Sequence, residues 1–263
     1  FQSIGNSITV DMSVAAGADM ISLGGSAGTV QTNFENVSLA SFVGTGSNIT
    51  GSTGANTITG SAYADAINGG LGADTIIGGN GIDYITLTET TASADTVQLA
   101  TSVDANNYDQ ITGFDFGGTA SDDNIHILDA DFALNQGASD GVVVVGTHAT
   151  TLDGAVAATA TATVFTIGAN VATHTFATYL AGTSTYTQLE TAAGTAMGTA
   201  TDGTFGATDK VLVAIDDGTH TGIFFWQSGA DNNAADADEL ELVAILTGVS
   251  DATSLVAGDF TIA

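Results

Sequence analysis

The chain has 263 residues, enough for one large all-β domain or two smaller ones with a sizeable core. Its 29 acidic residues meet a single basic one, Lys210, for a formal net charge of -28; charged residues are nevertheless only 11% of the chain and hydrophobic ones 44%. That mixture is too aliphatic for a disordered acidic tail, and one lysine cannot neutralise the phosphates of a nucleic acid or an anionic membrane surface. Cysteine does not occur, which excludes disulfides and thiolate metal sites. No apolar run reaches the length of a transmembrane segment, and no basic-then-apolar secretory leader opens the chain. Because Phe1 already lies in patterned sequence, the chain reads as a processed or truncated piece of a longer one. Self-repulsion among so many carboxylates has to be relieved by salt or by bound cations.

Residues 1–30 alternate small and aliphatic positions (Ile8, Val10, Met12 and Val14, then Ile21 and Leu23), which predicts strands. An isolated Gly17-Ala18-Asp19-Met20-Ile21 stands among them. Gly24-Gly25-Ser26-Ala27-Gly28 fits the G-x-S-x-G pattern of a nucleophile elbow, but no helical pattern follows Ser26, so the match is taken as chance. Phe34-Glu35-Asn36-Val37-Ser38-Leu39, followed by Gly44, Gly46 and Asn48, predicts a strand and then a turn.

A strict period begins next. Ile49, Ile58, Ile67, Ile76 and Ile85 are spaced nine apart without a slip. Two copies of the repeat are complete, from Gly69 to Ile77 and from Gly78 to Thr86. Two earlier copies are degenerate: Gly60 to Asn68 keeps Gly60, Asp65 and Ile67, and Gly51 to Thr59 carries Asn56 in the aspartate slot. The pattern G-G-x-G-x-D-x-U-x resembles the calcium-binding nonapeptide of RTX (hemolysin-type) secreted proteins. The resemblance implies a parallel β-roll that takes Ca2+ in its turns, with Gly60, Asp65, Gly69, Gly70, Gly72, Asp74, Gly78, Gly79, Gly81 and Asp83 as the metal-binding set. In each nonapeptide, six residues form a tight turn that glycine permits, and three form a short strand whose middle isoleucine points inward. Two repeats complete one turn of the coil, so positions 18 apart stack on one edge. Asp65 and Asp83 are expected to share one edge and Asn56 and Asp74 the other, the second pair binding more weakly for want of a charge. Carbonyl oxygens and carboxylates in the gaps would form an all-oxygen cage suited to a hard cation.

After Ile85 the nine-residue period stops. Asp95 to Leu99, Asp109 to Asp115 and Asp122 to Ile127 follow, and the order D-x-I-x-x-F, a Gly turn, then D-x-I-x-I is similar to the β-sandwich-like cap that closes the calcium coil in secreted RTX proteins. Such a cap shields open strand edges and the isoleucine stack. Residues 142–167 predict short Val- and Thr-rich strands. Between Thr175 and Met197, the residues Tyr186, Leu189, Ala193 and Met197 fall at helical spacing and predict one short helix against the sheet. Asp209–Gly218 and Gly222–Trp226 predict a hairpin across an Asp-Gly turn. The acidic-then-apolar ending, over residues 205–263, resembles the C-terminal target region of proteins exported by type I machinery. That resemblance implies an ABC-type exporter as a transient partner.

The expected fold is therefore all-β: a parallel β-roll followed by a β-sandwich-like C-terminal region with one short helix. Its expected divisions are a strand-rich lead-in over 1–48, the calcium roll over 49–90, a capping or assembly region over 91–204 and the target-like region over 205–263. His126, His148, His174 and His220 are isolated, and no H-E-x-x-H helix is present to bind zinc. Carboxylate pairs are too common here to mark acid–base catalysis, and no enzyme is expected. Two functions remain open. One is a calcium-dependent extracellular or cell-surface structural protein, an S-layer, sheath or filament subunit that self-assembles as a homo-oligomer. The other is the calcium-folding and secretion module of a larger exoenzyme, toxin or adhesin.

Overall fold

A computed structural model describes residues 8–13, 19–23, 30–31, 35–99, 107–128, 145–148, 164–167, 175–197, 210–227 and 240–262. The G-x-S-x-G stretch, Gly17 and His174 lie outside the described residues. In chain order the first strands are β1 (Ile8–Asp11), β2 (Asp19–Leu23), β3 (Val30–Gln31) and β4 (Asn36–Ser38). The repeats supply β5 (Asn48–Thr50), β6 (Thr57–Thr59), β7 (Ala66–Asn68), β8 (Thr75–Ile77) and β9 (Tyr84–Thr86). Each repeat strand is three residues long with its central isoleucine buried, because the turns on either side leave room for no more. Successive strands alternate between two sheets, so β5, β7 and β9 pair in parallel in one sheet, and β6 and β8 in the other.

The roll continues beyond the repeats. β10 (Thr96–Gln98) and β12 (Asn124–Ile127) extend the sheet of β6 and β8, while β11 (Asp109–Thr112) extends that of β9, all in parallel. The strands expected to cap the coil are thus further turns of it. Their connections are longer than nine residues, yet each keeps an Asp two positions before its inward Val or Ile. On the N-terminal side β1 pairs in parallel with β5 and β4 with β6, while β2 and β3 add antiparallel at the edge beside β1.

Further strands complete both sheets: β13 (Val145–His148), β14 (Val164–Ile167), β15 (Lys210–Asp216), β16 (His220–Gln227), β17 (Leu240–Thr247) and β18 (Phe260–Ile262). The larger sheet has twelve strands in the order β13-β14-β15-β16-β17-β11-β9-β7-β5-β1-β2-β3, and the smaller has six in the order β18-β12-β10-β8-β6-β4. The expected hairpin is β15–β16, turning at Gly218 with a φ of 78°. The sandwich-like part is thus built from the same two layers as the roll, β17 joining β11 and β18 joining β12.

One apolar core lies between the sheets and runs from Ile8 and Val10 through the five repeat isoleucines to Phe260 and Ile262. Strands β15 to β17 are buried on both faces, which explains their unbroken apolar runs. Leu212, Ala214 and Leu246 face the roll interior, whereas Val211, Val213, Ile215, Trp226 and Leu242 face a second cluster under two helices. These are α1 (Phe176–Leu180) and α2 (Tyr186–Met197). The helix expected from the spacing of Tyr186, Leu189 and Ala193 is α2; α1 is a single short turn ahead of it, begun by the Thr175 hydroxyl, which accepts from the Thr178 N–H.

Candidate metal centre

The nonapeptide turns stack in two columns, one along each edge of the roll. On the first, the Ser47 N–H donates to Asp65 Oδ1 at 2.5 Å, the Asp65 N–H to Asp83 Oδ1 at 2.8 Å, and the Asp83 N–H to Asp109 Oδ1 at 3.3 Å. On the second, the Asn56 N–H donates to Asp74 Oδ1 at 2.7 Å, the Asp74 N–H to Asp95 Oδ1 at 2.8 Å, and the Asp95 N–H to Asp123 Oδ1 at 3.0 Å. The pairing of Asp65 with Asp83, and of Asn56 with Asp74, is the one the repeat length requires. All six aspartates are at most 2% exposed.

Asp95, Asp109 and Asp123 belong to these columns but stand outside the nonapeptide pattern. The separations between stacked partners grow from 18 within the repeats to 21, 26 and 28 beyond them, so a search for fixed spacing passes over all three. The signal that remains is the Asp-x-Val or Asp-x-Ile triplet opening β10, β11 and β12.

Glycine sets the geometry of the complete copies. Gly70 and Gly79 have φ near +105° (103° and 107°), and Gly72 and Gly81 have φ of 92° and 107°, conformations that other residues rarely adopt. Gly60, Gly69 and Gly78 open the turns: a Cβ on Gly69 would come within 2.6 Å of Asp74 Oδ2, and one on Gly78 within 2.2 Å of Asp83 Oδ2. A Cβ on Gly60 would lie 2.1 Å from the Gly78 carbonyl oxygen.

The second carboxylate oxygen separates complete from degenerate copies. In the copy from Gly60, Asp65 Oδ2 accepts from the Ser61 N–H at 2.6 Å and from the Ser61 hydroxyl at 3.0 Å. In the copy from Gly51, Asn56 Oδ1 accepts from the Ser52 N–H and Asn56 Nδ2 donates to the Glu35 carbonyl. In the complete copies the second position is a positive-φ glycine, and Asp74 Oδ2 and Asp83 Oδ2 have no hydrogen-bond partner. Asp109 Oδ2 is likewise buried and unpaired. Unpaired carboxylate oxygens in a dry gap are costly unless a cation meets them.

Burial raises these carboxyl groups from their ordinary 3.8: Asp83 to about 8, Asp74 and Asp95 to about 7 and Asp123 to about 6. Asp109 is also driven upward, first by burial and then by the charge of Asp83. Backbone N–H donors oppose the rise, and neighbouring carboxylates add to it. Lys210 is on β15, not in these turns. Among the described residues no three acidic or histidine side chains converge closely enough to enclose a metal by themselves, so carbonyl oxygens or water must complete any coordination shell.

Residues 50–85 match the family model of the RTX calcium-binding nonapeptide repeat, described as four copies. This stretch is an RTX array. No curated protein matches the chain. RTX nonapeptides bind calcium, and the turns here suit that ion: every donor is oxygen, the carboxylates lack countercharge, and two of them keep an oxygen free. Asp74 and Asp83 would hold Ca2+ most directly, within turns shaped by Gly69, Gly70, Gly72, Gly78, Gly79 and Gly81. Asp65, also of the expected metal-binding set, has both carboxylate oxygens hydrogen-bonded, to Ser47 and Ser61. His126 is half-buried with its Nδ1 2.9 Å from the Thr261 hydroxyl, and His220 Nδ1 accepts from the Gly248 N–H.

Proposed function

We propose that this chain is a calcium-dependent extracellular structural protein that folds after export and then assembles with copies of itself. The observation that carries the reading is the continuity of the core. The RTX array shares one apolar cluster with the first strand and the last, from Ile8 to Ile262. Calcium uptake in the turns is thereby coupled to packing throughout the roll. In low calcium the stacked aspartates repel one another and hold the roll open, a state suited to passage through a type I exporter. In calcium-rich surroundings the binding energy of the ion becomes folding energy. Calcium also lowers the net charge, permitting such acidic copies to approach. On this reading the chain carries out no catalysis.

The test is assembly of the purified chain, followed by electron microscopy and light scattering. Ordered sheets or filaments should form in calcium and disperse with chelator. A chain that stays monomeric in saturating calcium contradicts the proposal and favours a folding and export module of a larger protein.

A further inference from the structure

Asparagine followed by glycine occurs twice in the chain, at Asn68-Gly69 and Asn80-Gly81, and both pairs lie in the RTX array. Such a pair reacts with itself when nothing restrains it. The glycine nitrogen, which no Cβ crowds, attacks the asparagine Cγ; the N–Cγ bond forms, the Cγ–Nδ2 bond breaks, and ammonia leaves with the glycine's proton. Water then opens the succinimide ring so formed, giving either aspartate or isoaspartate, whose backbone is one carbon longer. In the roll both attacking nitrogens are engaged. The Gly69 N–H donates to the Thr86 carbonyl at 3.1 Å, and the Gly81 N–H to Asn107 Oδ1 at 2.7 Å. Gly69 is buried and Asn107 is only 3% exposed, whereas Asn68 and Asn80 themselves are exposed. Asn68 Oδ1 is held as well, accepting from the Gly70 N–H at 3.0 Å.

We propose that Asn68 and Asn80 deamidate spontaneously in the unfolded chain, that hydrogen bonds of the roll protect them, and that a copy carrying isoaspartate at either position is excluded from the roll. A donating N–H has to open before it can lose its proton, the condition that also governs amide hydrogen exchange. Thr86 and Asn107 come from later turns, so protection of each site waits for the turn that stacks upon it. The exclusion follows from space. A Cβ on Gly79 would lie 1.9 Å from the Ser61 carbonyl oxygen, and one on Gly81 2.7 Å from the Ala64 nitrogen, so an added backbone carbon has nowhere to go. At Asn68 the carbonyl accepts from the Gly51 N–H at 2.8 Å, and a longer backbone there carries the Gly69–Asp74 turn out of register. Aspartate at exposed Asn80 adds only charge and is tolerated. The open state suited to export then has a limited chemical lifetime. That consequence rests on the calcium-dependent folding proposed above; the protection does not.

The full chain is aged at pH 7.5 in calcium, in chelator and in guanidinium chloride, with folding followed by circular dichroism and isoaspartate located by peptide mass spectrometry. Both sites should convert in guanidinium chloride and in chelator, and at least about tenfold more slowly in calcium. When the aged chelator sample is given calcium, isoaspartate at positions 68 and 80 should be confined to the fraction that stays unfolded. Asn107→Ala in calcium should open Asn80 to conversion and leave Asn68 protected, because the acceptor for Gly69 is the Thr86 carbonyl. An Asn107→Ala chain that does not fold should instead lose protection at both sites together. Equal conversion in the calcium-folded and guanidinium-unfolded chain would overturn the protection. Isoaspartate at equal levels in the folded and unfolded fractions would overturn the exclusion. A folded Asn107→Ala chain that converts at Asn80 no faster than the unaltered chain would overturn the role given to Asn107. A chain as well folded in chelator as in calcium overturns the calcium-folding reading alone, and protection is then measured against guanidinium chloride.

Discussion

Asp65, Asp74 and Asp83 hold the same place in the nonapeptide, but their carboxylates are engaged differently. Asp65 is saturated by Ser47 and Ser61, whereas Asp74 and Asp83 each leave Oδ2 unpaired. Asp74→Ala and Asp83→Ala should therefore raise the calcium midpoint of folding, by about tenfold or more, in a circular-dichroism titration. Asp65→Ala should mainly cost stability, about 1–3 kcal/mol from the buried donors it strands, with the number of bound calcium ions kept. The nonapeptide pattern marks all three aspartates alike; the difference between them lies in one neighbouring position, serine or glycine, that decides where an N–H points. The raised carboxyl pKa values carry a pH prediction as well. Because the folded values, about 6 to 8, exceed the ordinary 3.8, the calcium-free fold takes up protons that the unfolded chain does not. Its stability should be greatest near pH 4 and be lost as pH rises through 6 to 8, while calcium affinity rises over the same range with proton release. Chelator-treated protein melting at higher temperature at pH 7.5 than at pH 5 would contradict this.

At the scale of elements, the isoleucine period identifies β5 to β9 because each strand buries its central isoleucine between an exposed residue and an exposed or half-buried one, a pattern repeated without insertion. Strands β10 to β12 keep the alternation with Val97, Ile111 and Ile125 turned inward, but their turns absorb extra residues, so regular spacing ends where the fold does not. Sheet membership of β15 to β17 is not legible from periodicity, since both faces are buried and the run is apolar throughout. The helix α2 is legible from its spacing, but its role as the cover of the outer face emerges only from packing. Tyr186 ties that cover down, its hydroxyl donating to Glu241 Oε2 and accepting from the Leu242 N–H, both at 3.0 Å. Phe176 rests on Gly222, where a Cβ would come within 2.3 Å of the ring. Phe176→Ala should cost about 3 kcal/mol in thermal or urea unfolding with calcium bound, by the cavity it leaves. A calcium-loaded melting curve that does not move would show the helices to be loosely attached.

Across the whole molecule, the two sheets close over one core into which the RTX array and both flanking regions are built. The sequence reveals the calcium chemistry because Gly and Asp at fixed spacing have few other uses. It does not reveal how far the roll extends, because long connections conceal pairings such as β11 with β17 and β12 with β18. A net charge of -28 then has a first part in the buried aspartates of the turn columns, and a second elsewhere that runs from buried Glu190, Asp216 and Asp259 to exposed Glu35, Asp115 and Asp251, which solvent screens. If the first part governs folding, calcium should act on the roll as a unit and not on the array alone. The direct measurement is far-ultraviolet circular dichroism with amide hydrogen exchange, in chelator and then across rising calcium at pH 7.5. The predicted result is little strand signal or protection in chelator, followed by one cooperative gain that protects β11, β17 and β18 together with the array strands. Equal strand signal and equal protection with and without calcium would contradict the account.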